Sequence, residues 1–318
     1  MSSPTTLTAR CPAKINLFLH VVGRRTDGYH LLESLFCPVS IYDHLRLELR
    51  LSRGASGLEL TRSGSLVHLP EQVDLTSRAC RLFLSALAKP LGGSIHIHVD
   101  KNIPDQAGLG GGSSNAAAVL QLLQTHLHHP LSLEELNTLA LSLGADVPFF
   151  LHQGSGFVEG IGEQFTPFRG LAHPVLVYKP LQNCPTGQIF GAEELTRDSS
   201  PVKIAVFDSG RVQTPTALVG SGFWQHLQKS TQNSLQTVVQ ALQPPWQSEF
   251  LRFETLVQTH EPLLVRMSGS GSAMFAVFDN SAQCNSAYKA LSSLEGQRFK
   301  CRILNSEFEK GSLFSPSF

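Results

Sequence analysis

The chain has no excess charge of either sign, no closely spaced cysteine pair, no internal repeat and no long apolar run. Basic and acidic residues number 25 each, so it carries no electrostatic footprint for nucleic acid or an anionic membrane surface. The six cysteines (Cys11, Cys37, Cys80, Cys184, Cys284, Cys301) are scattered without a CxxC spacing. That excludes a zinc ribbon and argues against a disulfide frame, and it fits reduced thiols in a cytoplasm. No apolar run approaches the roughly 20 residues of a membrane span. The run INLFLHVV is broken by Asn16 and His20 and leads into Gly23-Arg24-Arg25, not a small-residue cleavage site, so it does not read as a signal peptide. Without a transit-like segment, a bacterial cytoplasmic protein is expected, a monomer or weak homodimer that engages neither nucleic acid nor membrane. The 318 residues, 42% hydrophobic, suffice for one large or two modest globular domains.

What is present is concentrated between Pro104 and Ser114. The segment PDQAGLGGGSS places Gly108, Gly110, Gly111 and Gly112 within five residues, followed by Ser113 and Ser114. Before it, Ser94 to Asp100 alternates like a strand; after it, Asn115 to Gln124 reads as helix. Glycines let a backbone take positive φ and approach a ligand closely. A helix start adds unpaired N–H groups and the positive end of a dipole. Strand, glycine loop and helix N-terminus together form an anion site, most often for phosphate. Ser113 or Ser114 suits a helix cap, or a hydroxyl near phosphate and Mg²⁺. The loop is not a Walker A sequence, which needs Lys-Ser/Thr after its last glycine. It is not a dinucleotide fingerprint either, because Ser113 stands where the third glycine belongs.

Along the chain, strands are expected at 7–22, 43–51, 94–100, 174–180 and 272–279, and helices at 75–88, 132–143, 231–242, 248–258 and 281–293. Asp74 is placed to cap the helix at 75. Ser132-Leu-Glu-Glu135 is a capping box, and Gly144 ends that helix. The turn-rich stretch from Gly154 to Gly170 is the candidate boundary, giving domains of 1–165 and 166–318. Strands and helices alternate without a regular βαβ rhythm, so the fold class is α+β.

Two charged residues sit in apolar surroundings. Lys14 lies within Pro12-Ala-Lys-Ile-Asn16, where an unpaired ammonium is costly; an edge-strand lysine reaching water is the plain alternative. Asp146 lies between Ala145 and Val147, ahead of Pro148-Phe149-Phe150, where a simple turn aspartate is the alternative. Phosphoryl transfer to an alcohol requires a base at the hydroxyl, a cation near developing charge, and N–H donors with Mg²⁺ on the phosphates. The chain supplies a candidate for each. Ser268-Gly-Ser-Gly-Ser272 is a tight turn into a strand, or a second loop closing on the nucleotide. His96, His98, His128 and His129 lack an acid or cysteine at metal-ligand spacing and read as surface histidines; no protein-held metal is expected.

Five segments in order, Pro12 to Leu17, Gly23 to His30 (GRRTDGYH), Gly108 to Asn115, Leu143 to Phe149 (LGADVPF) and Ser268 to Ser272, resemble the GHMP small-molecule kinases over about residues 10–305. The RTDGYH and LGADVPFF segments resemble the branch that phosphorylates a cytidine-diphosphate-linked methylerythritol in non-mevalonate isoprenoid synthesis. The resemblance implies a two-domain fold, an N-terminal ribosomal-S5-like domain with a left-handed βαβ crossover and a C-terminal α/β sandwich, with the site between them. It implies Asp146 as base, Lys14 beside it as stabilising cation, and Asn16 on the substrate diol. ATP would lie on Pro104, Asp105, Gln106, Ala107, Gly108, Leu109, Gly110, Gly111, Gly112, Ser113 and Ser114, with Lys101 reaching it and Mg²⁺ carried in near Ser113 or Ser114. Tyr29 and His30 would receive the cytosine, an aromatic to stack and an imidazole for its edge, with Thr186 and Phe190 as further substrate contacts. Asp74 departs from the family, which has Asn there against adenine; an aspartate accepts but cannot donate. Asp105 brings an acid close to the phosphates, and Asn115 replaces the common Asp. Other GHMP kinases, for homoserine, mevalonate or sugars, would have no use for the Gly28-Tyr-His30 platform. A regulator without catalysis would be expected to have lost Lys14 or Asp146.

Overall fold

The computed structural model describes residues 4–53, 57–152, 154–200, 202, 221–304 and 314–316. Its spine is a long antiparallel pair, β1 (Thr5–Arg24) and β2 (His30–Arg53), joined by a turn at residues 25–29. At 20 residues β1 spans roughly 65 Å. β3 (Leu58–Gly64), β4 (Leu91–Asp100), the hairpin of β5 (Gly156–Gly160) and β6 (Gln164–Pro167), and β11 (Phe314–Pro316) complete the first sheet. Its order is β11-β1-β2-β4-β3, with β5 pairing the early part of β2. Among its described strands only β3 and β4 run parallel, and α1 (Leu75–Ser85) connects them.

Helices α1, α2 (Gly111–His126), α3 (Leu133–Leu143) and the short α4 (Val147–Leu151) form a core with the outer halves of β1, β2 and β4. Their buried residues include Phe83, Leu120, Leu123, Ala140 and Phe149. The second sheet has the order β10-β7-β9-β8, from β7 (Pro174–Pro180), β8 (Leu264–Met267), β9 (Met274–Val277) and β10 (Gly296–Arg302). Around it lie α5 (Thr186–Gly191), α6 (Ser221–Ser230), α7 (Ser234–Leu242), α8 (Pro244–Gln258) and α9 (Ser281–Ala290). Ala13, Ile15 and Leu17 of β1 join Val175, Val177 and Phe275 in a central cluster. Leu19 and Val21 join the third, with Tyr178, Trp246 and Phe253. One strand therefore contributes to three apolar clusters in succession.

The α+β expectation holds, and each expected strand and helix falls on an observed one. Four details differ. The strand expected at 43–51 is the second half of β2, which begins at His30. The helix after the glycine loop begins at Gly111, ahead of the serines. The stretch 154–170, expected to be a boundary of turns, contains the β5–β6 hairpin, hydrogen-bonded to β2. The helix expected from 248 begins at Pro244, where proline needs no amide hydrogen.

Candidate active site

The site forms where the middle of β1, the glycine loop, the start of α4 and the 268–272 turn converge. Lys14 is almost fully buried, and its Nζ donates to Asn16 Oδ1 (2.7 Å). Asp146 Oδ2 lies 3.5 Å from the same Nζ, with its carboxylate one-third exposed. The buried cation thus faces an acid that can still reach a solute. Asn16 Nδ2 donates to Ser34 Oγ (3.0 Å), and Ser34 Oγ to the Phe18 carbonyl, so the amide is held in one orientation. The Phe36 ring lies 4.8 Å from Lys14 Nζ, a cation–π arrangement. Asp146 occupies the N-cap position of α4 but makes no side-chain capping bond, leaving its carboxylate for other work.

The loop is fixed to β1 by the Lys14 N–H, which donates to the Leu109 carbonyl (2.9 Å). Gly110 has φ 71 and caps α2 without a side chain. This corrects the expectation of a serine cap: a left-handed residue here favours glycine, and the serines fall inside the first turn. The first α2 amide bonded back along the helix is that of Ser114, to Gly110 O (2.9 Å), so the N–H groups just before it face outward, as at any helix start. Ser113 is half-buried in that turn. Ser114 Oγ is buried with no protein partner among the described residues. Ala107 and Leu109 are buried and anchor the loop, while Pro104 is half-buried and Gln106 turns with φ 51.

The second glycine turn closes on the first. Ser268 Oγ donates to Gly108 O (2.9 Å), Ala273 N to Ala107 O (3.1 Å) and Ser272 N to Gln106 O (3.4 Å). A Cβ at Gly108, where φ is +70, would overlap the Ser268 carbonyl. The 268–272 segment is thus a turn leading into β9, as one of the two expectations had it, and that turn packs on the first glycine loop.

Lys101 is not a solvated lysine. Its Nζ donates to Asp43 Oδ2 (2.6 Å) and Asn115 Oδ1 (3.4 Å), and a Cβ on Gly111 would stand 2.9 Å from it. Asp43 is fully buried and also accepts from the Asn102 and Ile103 amides (2.8 Å each). Asp105 is exposed, its Oδ1 3.7 Å from Lys101 Nζ. A cleft of about 600 Å³ lies between Lys101–Asp105 and Lys179, Leu181 and Gln297. Asp74 is occupied as the α1 cap, accepting from the amides and hydroxyls of Thr76 and Ser77, 2.6–3.1 Å away.

At the other end of β1, His30 and Phe190 meet, ring centroids 5.3 Å apart, although 160 residues separate them. Tyr29 is exposed, in a turn shaped by Gly28. Thr186 Oγ1 is 2.8 Å from Ser270 Oγ, which ties α5 to the second glycine turn. Burial first, then Arg197 and Arg24, hold His30 below the usual imidazole range.

Two residues of the site escape sequence reasoning. Asp43 had a signal, an acid at an inward position of the alternating DHLRLELRL. Asn233, which caps α7, donates through its amide to Met267 O (2.9 Å) and Gly269 O (2.8 Å) and holds the second turn. His96 and His98 belong to a surface chain with Thr61, Ser63 and Asp100. Among the described residues no cluster of His, Cys, Asp and Glu fits a metal ion, and no helix is long and apolar enough to cross a membrane.

Residues 74–154 match the family described as GHMP kinases N terminal domain. The chain is 44% identical over 271 residues to a Polaromonas sp. protein named 4-diphosphocytidyl-2-C-methyl-D-erythritol kinase, covering 84% of this chain and 81% of that one. It is 39% identical over 280 residues to the Alkalilimnicola ehrlichii protein of the same name, covering 88% and 85%. A crystal structure of 4-(cytidine 5'-diphospho)-2C-methyl-D-erythritol kinase superposes with TM-score 0.69 at 31% identity, over 93% of this chain and 98% of that one. A homoserine kinase from Cytophaga hutchinsonii, 18% identical with TM-score 0.68, covers 95% and 96% and shares the fold.

Proposed function

Since the chain belongs to the 4-diphosphocytidyl-2-C-methyl-D-erythritol kinase family of GHMP kinases, we propose that it moves the γ-phosphoryl group of ATP to the 2-hydroxyl of that cytidyl methylerythritol, a step of non-mevalonate isoprenoid synthesis. It is an ATP-dependent small-molecule kinase. The observation that carries the assignment of roles is the buried Lys14 ammonium held between Asn16 and the half-open Asp146 carboxylate, directly behind the phosphate loop.

In this reading the Asp146 carboxylate accepts the proton of the attacking hydroxyl. The hydroxyl oxygen bonds to the γ-phosphorus as the bond to the β–γ bridging oxygen breaks, and ADP leaves. Lys14 offsets negative charge on the oxygen losing its proton and keeps Asp146 oriented; Asn16 holds the acceptor diol. Outward N–H groups at the start of α2, the Gly108–Gly112 backbone and Lys101 hold the phosphates in a site that needs no rearrangement. Pro104 to Ala107 and Leu109 give that loop its path, and the exposed Asp105 turns its charge on Lys101.

The orphaned Ser114 hydroxyl fits a metal or phosphate oxygen, so Ser114, with Ser113 alongside, would hold Mg²⁺ carried by the nucleotide. Bound there, Mg²⁺ neutralises phosphate charge. Tyr29, His30 and Phe190 receive the cytosine, with Thr186 as a further substrate contact. We also read the protein as cytoplasmic, a monomer or weak homodimer without nucleic-acid or membrane partners, in two parts meeting at 165/166; balanced charge and buried thiols support the first points.

The test is ADP release with Mg-ATP and one acceptor at a time: the cytidyl methylerythritol, homoserine, mevalonate, or none. Turnover with the cytidyl acceptor alone is expected. Turnover with another alcohol would overturn the substrate and keep the chemistry.

A further inference from the structure

Arg197 is half-buried on the segment that follows α5, and all three faces of its guanidinium are used. Nη2 donates to the Ala192 carbonyl (2.7 Å) and Nη1 to the Leu195 carbonyl (3.1 Å). Nε donates to His30 Nε2 (3.2 Å). The first two bonds fix the group to the turn just beyond Phe190. The third crosses to the first residue of β2. The segment is itself pinned to the long hairpin, by Ser199 N donating to Val21 O (3.0 Å) and Val202 N to Glu33 Oε2 (2.7 Å).

A guanidinium has donors and no acceptor. Its N–H can point at His30 Nε2 only if that nitrogen carries a lone pair. A neutral imidazole with Nε2 bare carries its hydrogen on Nδ1. Nδ1 meets no protein partner among the described residues, and Phe190 lies against the same ring. The ring is thereby presented as a donor. Position 3 of cytosine is an acceptor; position 3 of uracil is an N–H donor. A fixed Nδ1–H pairs with the first and opposes the second.

We propose that Arg197 is a positioning residue for nucleobase selection: by occupying His30 Nε2 it locks the tautomer whose Nδ1–H reads a cytosine edge, and by gripping the 192–195 turn it keeps Phe190 beside that ring. This deepens the cytidyl reading above and rests on it for the identity of the base. The lowered proton affinity of His30, set first by burial and then by the neighbouring Arg197, accords with a neutral ring.

Two measurements decide it. The first is nitrogen NMR of the His30 imidazole in the full chain without ligands, wild type against Arg197→Met. The wild type is expected to show the Nδ1–H tautomer, and the variant a mixture with Nε2–H. An Nε2–H wild type, or an unchanged variant, overturns the proposal whatever the substrate. The second is kinetics with the cytidyl acceptor and its uridyl analogue. Arg197→Met is expected to raise KM for the cytidyl acceptor about tenfold, with kcat within about twofold and KM for ATP unchanged, and to narrow the preference over the uridyl analogue. In a His30→Ala background the same change is expected to add clearly less than it does in the wild type, the remainder being its grip on the turn after Phe190. Full additivity, or a fall in kcat at constant KM, overturns it. If the wild type does not turn over the cytidyl acceptor, the proposed substrate fails; the NMR outcome still decides whether Arg197 sets the tautomer.

Discussion

Asp146 and Lys14 differ in burial, and that separates the effects expected of removing each. Asp146→Asn keeps size and hydrogen bonding and loses basicity. Turnover is expected to fall by at least ~10²-fold with ATP binding retained, the usual scale for loss of a general base; single-turnover rates and ATP titration read both. Near-normal turnover would overturn the role proposed for Asp146. Both residues were legible in the sequence because each is a charge set in an apolar run. Arg197 was not, because what makes it matter lies 167 residues away; Asp43 carried a signal in its inward strand position, but its partner, 58 residues on, was not readable from it. Asp74 was legible as a cap, and the structure adds that its carboxylate is fully engaged by Thr76 and Ser77.

At the level of elements, the same local rule gave one success and one correction. The Ser132–Glu135 capping box forms as its sequence dictates, each side chain bonding the other's backbone. Ser132→Ala is expected to cost about 1 kcal/mol of stability, measured by urea unfolding, with KM and kcat unchanged, since both bonds of the box lie in the first turn of α3, at the opposite end of that helix from Asp146. The start of α2 was placed too late because a serine is the commoner cap, while this turn needs positive φ. Gly108→Ala tests the contact between the two glycine turns. It is expected to weaken ATP binding at least ~10-fold in a titration, because a side chain is disfavoured at this positive φ and the new methyl displaces either the loop or the Ser268 carbonyl. The first half of β2 escaped notice for a different reason. Residues 34–39 are buried on both faces, so the alternation that marks a half-exposed strand is absent there.

Across the whole molecule, Arg266 of β8 is a buried cation that ties β1 to α6 and the residues after it. Among the described residues no carboxylate pairs with it: Nη1 donates to Leu17 O (2.6 Å) and Thr231 Oγ1 (2.8 Å), and Nη2 to Leu227 O (2.7 Å) and Thr231 O (2.5 Å). Burial draws its pKa down to about 10, which still leaves it charged at neutral pH. Arg266→Met strands those carbonyls, and a loss of at least ~2 kcal/mol in urea unfolding is expected, by the usual cost of buried unpaired acceptors. The α+β class and the order of elements could be read from the chain, since periodicity is local. That β1 would serve three apolar clusters could not, since partners for its inner half come from β7, β9, α7 and α8, all more than 150 residues later.

That shared strand limits how such proteins can be recombined. A crossover near 165/166 between two relatives would join one parent's Ala13, Ile15, Leu17, Leu19 and Val21 to the other parent's second sheet. The halves are therefore not interchangeable modules. Functional hybrids should be more frequent where β1, β2 and the second sheet come from one parent and only the α1–α3 layer is exchanged, which leaves the second and third clusters whole and mixes parents in the first alone.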